Sequence, residues 1–300
     1  MKIGIVGGGA IGLLFAAYLG KNHEVTVYCR TKNQADSINL HHITLLKNEI
    51  SEQIRVTSVS SSQYLYEDLF IFTVKQYHLP EMISFIQQSP ENIPLLFVQN
   101  GMGHLSYLES LPHKNIWVGT VEHGAMKLND YTVKHTGIGE IKLAVFRGKE
   151  EALQKFLPHL QTDYFPFIIH PNYQEMLYQK LAINVSINPL TTVLKAKNGE
   201  LIENPYYFKL LKSVMNEICN VLEFSNRDEI IEQVMKVCNN TGENVSSMLK
   251  DVQENRKTEI DAIVGYLLHV AKQKRKDTPV LQFLYHAVKG MEKSGGNNVD

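Results

Sequence analysis

The stretch that decides the fold is Lys2-Ile3-Gly4-Ile5-Val6-Gly7-Gly8-Gly9-Ala10-Ile11-Gly12. A short apolar strand runs directly into a glycine cluster, which opens an apolar helix over 10–19. Gly7, Gly9 and Gly12 satisfy the spacing G-x-G-x-x-G, and strand–turn–helix is the context that this dinucleotide-binding fingerprint requires. Gly7 allows the tight turn, Gly9 lets a pyrophosphate approach the backbone, and Gly12 lets helix and strand pack closely. Gly8, Ala10 and Ile11 complete the turn, whose free N–H groups at the helix start bind the anion. A glycine-rich turn without a ligand is the alternative. The same segment has the charge and apolar content of a secretory signal, but patterned glycines would weaken the apolar helix of one. The chain is therefore expected to be cytoplasmic.

The pattern continues on both sides of this turn. Glu24 to Tyr28 reads as a second strand, 69–74 as a third, 95–98 as a fourth and 117–120 as a fifth. Near-continuous apolar strands alternating with helices indicate a parallel sheet covered on both faces. From Tyr131 to Phe146 the pattern becomes hairpin-like, with Gly137 and Gly139 at a turn. Beyond residue 170 only helical periodicity remains. Phe208, Leu211, Met215, Ile218 and Leu222 form one stripe; Ile260, Ile263, Val264, Leu267, Leu268 and Ala271 form another. Thr278-Pro279 is suited to the N-cap and first turn of the last helix, and the tail from Ser294 to Asp300 is expected to fray. The expected fold is α/β: an N-terminal doubly wound parallel sheet of Rossmann type over 1–168, binding NADP, and an all-helical substrate and catalytic domain over 169–300.

Composition narrows the function. The 300 residues hold 30 Lys+Arg and 31 Asp+Glu, a net charge of −1, so no basic excess suggests nucleic acid. The three cysteines, Cys29, Cys219 and Cys238, are widely spaced, and the twelve histidines show no metal-ligand spacing, so no metal is expected. No apolar run approaches the roughly 20 residues needed to span a bilayer. The basic run Lys272-Gln273-Lys274-Arg275-Lys276 fits the solvated end of a helix.

The end of the second strand selects the cofactor. NAD sites usually carry a carboxylate there to receive the ribose hydroxyls. Here the strand ends Tyr28-Cys29-Arg30, and a guanidinium suits a 2′-phosphate, so NADPH/NADP+ is expected. A solvated strand-end arginine is the alternative. In the helical part, Lys180, Asn184 and Asn188 recur at four-residue intervals and share one face of an otherwise apolar helix, which should end or kink at Pro189. Buried polar groups need partners, so this face is either a solvated edge or a site. In a site, Lys180 could protonate the oxygen of a carbonyl as hydride reduces it, with partial burial lowering its pKa toward the working range.

These motifs, in this order, resemble the ketopantoate reductase family almost end to end. The resemblance rests on the glycine turn, Arg30, Thr73-Val74-Lys75, Gln99-Asn100-Gly101, the 180–189 segment, Asn198-Gly199, Ser246 to Asp251 and Lys257 to Asp261. It implies NADPH-dependent reduction of 2-dehydropantoate to (R)-pantoate, in pantothenate and coenzyme A synthesis. It implies Lys180 as the catalytic acid and Glu259 as a catalytic group that orients others in the closed site. Asn184, Asn188, Asn198 and Ser247 would bind substrate. Arg30 and Lys75 would hold the adenosine-phosphate end of the cofactor, and Asn100 would lie by the nicotinamide and substrate. Asn100 could otherwise be a turn residue, Ser247 an N-cap, and Glu259 and Lys75 solvated. In Val121-Glu122-His123-Gly124-Ala125 the family tends to small or Thr-rich residues, so Glu122 and His123 would alter the mouth of the cleft. A related NAD(P)-dependent dehydrogenase on another 2-oxo or hydroxy acid is the nearest alternative. A non-catalytic nicotinamide sensor is the other, and it would need no proton donor. The partner is thus a small 2-oxo acid, and the apolar helices are compatible with a homodimer.

Overall fold

A computed structural model of the chain describes residues 1–60 and 63–295. They form two compact units, Met1–Gln99 with His104–Met176, and Asn100–Gly103 with the residues from Leu177 onward.

The first unit begins β1 (Lys2–Val6), α1 (Ala10–Leu19), β2 (Glu24–Cys29), α2 (Lys32–His41), β3 (Ile43–Lys47), β4 (Ile50–Ile54) and β5 (Thr57–Ser60). It continues with β6 (Leu69–Phe72), α3 (Leu79–Ile86), β7 (Leu95–Phe97), α4 (Leu105–Glu109), β8 (Ile116–Val121) and β9 (Gly124–Lys127). It closes with β10 (Thr132–Gly137), β11 (Ile141–Arg147), α5 (Glu150–Leu160) and β12 (Phe167–Ile169).

Eight strands make the main sheet in the order β12-β11-β8-β7-β6-β1-β2-β5. From β5 to β8 every pairing is parallel. β11 then runs antiparallel to β8, and β12 parallel to β11. Ile3, Ile5, Val6 and all of β6 are fully buried, as two covered faces require. The fold is thus the α/β class read from the sequence, with a parallel-rich sheet.

A second sheet, β4-β3-β10-β9, does not follow from the apolar pattern. The expected hairpin over 131–146 is replaced by two strands that do not pair with each other. β10 joins β3 and β9, whereas β11 joins the main sheet. The chain crosses from one sheet to the other at Gly139, where a Cβ would lie 2.4 Å from the Glu122 carbonyl oxygen. α1 packs on β1 and β2 and also on β3, β9 and β10. Gly12 to Leu19 are consequently buried without exception, and the helix is apolar all round rather than amphipathic.

The second unit holds α6 (Tyr173–Leu194, entering it at Leu177), α7 (Glu200–Glu203), α8 (Pro205–Leu222), α9 (Arg227–Asn240) and α10 (Ser247–Gln253). A π-helical turn over Asp261–Gly265 leads into α11 (Tyr266–Gln273), and α12 (Pro279–Gly295) follows. The two units divide between Met176 and Leu177, inside α6.

Nor does α6 stop at Pro189. It runs on to Leu194 with Pro189 buried inside it. Proline removes the donor that would reach the Val185 carbonyl; in the following turn the Thr191 hydroxyl donates to the Ile187 carbonyl at 2.8 Å and the Thr192 hydroxyl to that of Asn188 at 2.7 Å. The helix closes beyond Lys195, which sits at φ 53° while Ala196 N–H returns to the Thr191 carbonyl. The 260–271 stripe is interrupted by the π turn. At α12, Val280 and Leu281 N–H donate to the carboxylate of Glu217 in α8, so these first-turn donors are met by tertiary packing. The tail expected to fray lies outside the described residues from 296 onward. Among the described residues no helix is long and apolar enough to cross a membrane. All three cysteines are buried and unpaired.

Candidate active site

The glycine turn follows the geometry its spacing implies. Gly7 adopts φ +118°, open to glycine but not to other residues, and its N–H donates to the Tyr28 carbonyl at 3.0 Å. At Gly12 a Cβ would stand 1.8 Å from the Gly7 carbonyl oxygen, so helix and strand approach as closely as backbone permits. At Gly9 a Cβ would meet nothing within 4 Å. Gly9 also begins α1, which has no side-chain cap and no acidic residue in its first turn. Open space before uncapped N–H donors fits the pyrophosphate of a dinucleotide. The Thr73 hydroxyl, within hydrogen-bond reach of the Val6 and Gly7 carbonyls, braces the turn from β6.

Arg30 is exposed at the end of β2, its guanidinium 3.4 Å from Nε2 of His78. Thr31 caps α2 and no carboxylate occupies the first turn of that helix. Arg30 thus presents a cation beside a helix start that holds no acid. Lys75 is half-buried just before the single turn Gln76–His78, its ammonium 6.0 Å from the Tyr77 ring. The buried Gln99 amide donates to the Phe72 and Val74 carbonyls, at 2.8 and 3.1 Å, and so ties the end of β7 to that of β6.

In the second unit, α6 projects Lys180, Asn184 and Asn188 from one face. Asn184 is buried and the other two are half-buried. Asn184 Nδ2 lies 3.5 Å from Asn100 Oδ1, and Asn100 Nδ2 donates to Glu259 Oε2 at 3.1 Å. One chain of side chains thus links α6, the 100–103 segment and the start of the last helical stretch. Asn100 is therefore more than a turn residue. The next residue, Gly101, adopts φ +78°, and a Cβ there would lie 2.1 Å from the Ala262 carbonyl oxygen of the π turn.

Glu259 is held from behind. Thr258 donates from its N–H and its hydroxyl to Glu292, at 2.8 and 2.6 Å, and its hydroxyl oxygen accepts from Ile260 N–H. Lys289 bridges Glu292 and Asp261, and Tyr285 donates to Asp261 at 2.7 Å. This pair of hydrogen bonds holds the carboxylate of Asp261 below its usual range despite its partial burial.

The remaining expected site residues divide. Ser246, not Ser247, caps α10, accepting from Leu249 N–H at 3.2 Å, while its hydroxyl donates to Thr191 Oγ1, 2.8 Å away. Ser247 is left exposed at the first helical position. Asn198 is not hydrogen-bonded to the Asn184–Asn100–Glu259 chain. It is buried, and its Nδ2 donates to Thr241 Oγ1 at 2.9 Å while its N–H donates to the Asn244 carbonyl. At the neighbouring Gly199 a Cβ would lie 2.9 Å from Gly242 Cα, so this loop closes on 241–244.

Residues 3–148 match the family model "Ketopantoate reductase PanE/ApbA", and residues 172–292 match its C-terminal counterpart. The chain is 41% identical to a 2-dehydropantoate 2-reductase of Bacillus subtilis, over 98% of each chain.

The chain belongs to the ketopantoate reductase family.

Its fold matches the crystal structure of a probable 2-dehydropantoate 2-reductase from Bacillus subtilis, with TM-score 0.88 and 40% identity, covering 97% of this chain and 100% of that one. It also matches a ternary structure of D-mandelate dehydrogenase with NADH and anilino(oxo)acetate, with TM-score 0.93 and 26% identity, over 99% and 100%.

Within this family member, Glu122 is exposed and His123 is buried. Glu122 pairs with Lys142 at 3.1 Å. His123 Nδ1 lies 3.1 Å from His135 Nε2, and His135 Nδ1 lies 2.6 Å from the Tyr18 hydroxyl. Gly139 N–H donates to His123 Nδ1, so that atom carries no proton, His135 Nε2 donates to it, and Tyr18 donates to His135. Both rings are neutral in this arrangement, and burial pushes His123 down to about 4. Sequence reasoning missed Gln34, whose amide donates to the Gly8 carbonyl at 2.7 Å and to that of Asp130 at 3.1 Å. The only signal was its place at the third residue of a helix after a Thr cap.

Proposed function

We propose that this chain reduces 2-dehydropantoate to (R)-pantoate with NADPH, in pantothenate and coenzyme A synthesis. The observation that carries the reading is the Asn184–Asn100–Glu259 chain of side chains, with Lys180 one turn of α6 away on the same face. NADPH, when bound, supplies the hydride that reduces the C2 ketone. The first unit holds the dinucleotide: Gly7 to Gly12 present N–H donors to the pyrophosphate, and Arg30 with Lys75 binds the adenosine-phosphate end. Reduction puts negative charge on the carbonyl oxygen, and Lys180 Nζ both stabilises that charge and delivers the proton. Asn184, Asn188 and Ser247 hydrogen-bond the polar groups of the substrate, while Asn198 acts on the pocket by fixing the loop after α6. Glu259, kept in place by Asn100 and by the Thr258–Glu292 pair, orients the substrate and the asparagines.

The reading includes a cytoplasmic location and a homodimer. Apolar side chains exposed on the packed pair α8 and α12, Tyr206, Leu210 and Phe283, offer surface for the dimer. A second reading, reduction of an aryl 2-oxo acid, is favoured by the overlap with D-mandelate dehydrogenase. Lys180→Ala tests the proton donor. Turnover should fall by about 10²–10⁴-fold, the usual worth of a general acid, while NADPH affinity stays within about twofold. Near-normal turnover would remove Lys180 from the acid role.

A further inference from the structure

Thr31-Lys32-Asn33-Gln34 has the form of a capping box, in which a glutamine at the third helical position reaches back to the N-cap N–H. Half of that box is present: the Thr31 hydroxyl accepts from Gln34 N–H at 3.3 Å. The Gln34 side chain is turned elsewhere. Its Nε2 donates one hydrogen to the Gly8 carbonyl at 2.7 Å and the other to the Asp130 carbonyl at 3.1 Å. The amide lies so close that a Cβ on Gly8 would stand 2.6 Å from Nε2, which accounts for a third glycine at a position the fingerprint leaves open.

The far anchor is itself rigid. Asn129 Oδ1 accepts from Tyr131 and Thr132 N–H, and Thr44 N–H donates to the Tyr131 carbonyl. The Tyr131 ring stacks on His41 at the other end of α2, with centroids 4.5 Å apart. Gln34 therefore ties the glycine turn to a braced strand connection, not to a free loop.

The consequence lies in the peptide between Gly8 and Gly9. It is trans, so its C=O and N–H point in opposite directions. Fixing the Gly8 oxygen on Gln34 fixes the direction of the Gly9 N–H, and Gly9 is the residue with open space beside it at the uncapped start of α1. We propose that Gln34 is a positioning residue of the dinucleotide site, locking the Gly8–Gly9 peptide so that the Gly9 N–H is presented to the pyrophosphate. The inference rests on the NADPH-binding reading above and adds to it a residue that touches neither cofactor nor substrate.

The pyrophosphate is common to NADPH and NADH, so Gln34 acts on both alike, whereas Arg30 acts on the 2′-phosphate alone. The test uses the full chain with Gln34→Glu, which keeps the shape and loses both donors, and Gln34→Met, which loses them without adding charge. Dissociation constants for NADPH and NADH are measured by calorimetry, with thermal unfolding to establish that each variant is folded. Both constants should rise by about tenfold, the worth of one well-aimed donor to a phosphate. Their ratio should stay within about twofold, as should kcat at saturating NADPH. Unchanged affinities in folded variants, or weakening confined to NADPH, would overturn the role of Gln34. A wild-type chain that binds neither nucleotide would overturn the NADPH reading and this inference with it.

Discussion

Gly9→Ala should separate binding from folding. In the protein alone the new methyl meets nothing within 4 Å, and Gly9 sits at φ −80°, where alanine is unstrained. Two small terms then act on stability. Alanine at an N-cap is poorer than glycine by about 0.5–1 kcal/mol, and restricting the unfolded chain returns about 0.4–1 kcal/mol. The unfolding temperature should therefore move by no more than a few degrees. With nucleotide the position is different. A phosphate oxygen must come within about 2.7–3.2 Å of the N–H donors, and a methyl standing in the approach displaces it by about 1 Å, which is outside hydrogen-bonding range. Loss of two charge-assisted hydrogen bonds at about 1.5–3 kcal/mol each weakens NADPH by at least about 100-fold. Calorimetric titration with NADPH, beside a thermal melt, reads both quantities. A variant that melts like the wild type and still binds NADPH with wild-type affinity would refute the assignment of the pyrophosphate to this turn. Gly12→Ala is the contrast, because its methyl would stand 1.8 Å from backbone and should lower stability and binding together, by about 1–3 kcal/mol for the fold.

Two further outcomes are expected. Arg30→Asp should shift the ratio of NADPH to NADH kcat/KM toward NADH by about tenfold or more; an unchanged ratio in steady-state kinetics would show that Arg30 does not read the 2′-phosphate. His104 is fully buried with neither ring nitrogen partnered among the described residues, and burial pushes it down to about 4. The unfolded chain takes up the proton near the ordinary value of 6.5 and the folded chain does not, so stability falls as pH drops from there toward about 4. His104→Leu should flatten part of that slope, which urea midpoints at about pH 7.5 and about pH 5 would register; an unchanged slope would mean that His104 is not its source.

Local patterns were legible where one segment carries both its structure and its partner. β1, the glycine turn and α1 are contiguous, and their packing follows from Gly7, Gly9 and Gly12 alone. The buried strands β6, β7 and β8 are continuous apolar runs and read as such. The second sheet was not legible, because β4 is mostly exposed and β10 pairs with a strand about 90 residues earlier in the chain. α6 passes Pro189 because most of the segment around it is buried, which offsets the lost backbone hydrogen bond and which local propensity cannot register. Lys180, Asn184 and Asn188 could be placed on one face from their spacing. That Asn100 joins Asn184 to Glu259 could not, since the three lie far apart in sequence. Ser246 and Ser247 are equally good caps by composition, and only the Thr191 hydroxyl decides between them.

The most direct test of the function is steady-state oxidation of NADPH by the purified chain with 2-dehydropantoate, beside phenylglyoxylate and other 2-oxo acids, each repeated with NADH. Turnover should be fastest with 2-dehydropantoate and NADPH, and should fall by about 10²–10⁴-fold with Lys180→Ala. Turnover confined to an aryl 2-oxo acid and NADH, or none with any 2-oxo acid while NADPH still binds, would contradict it.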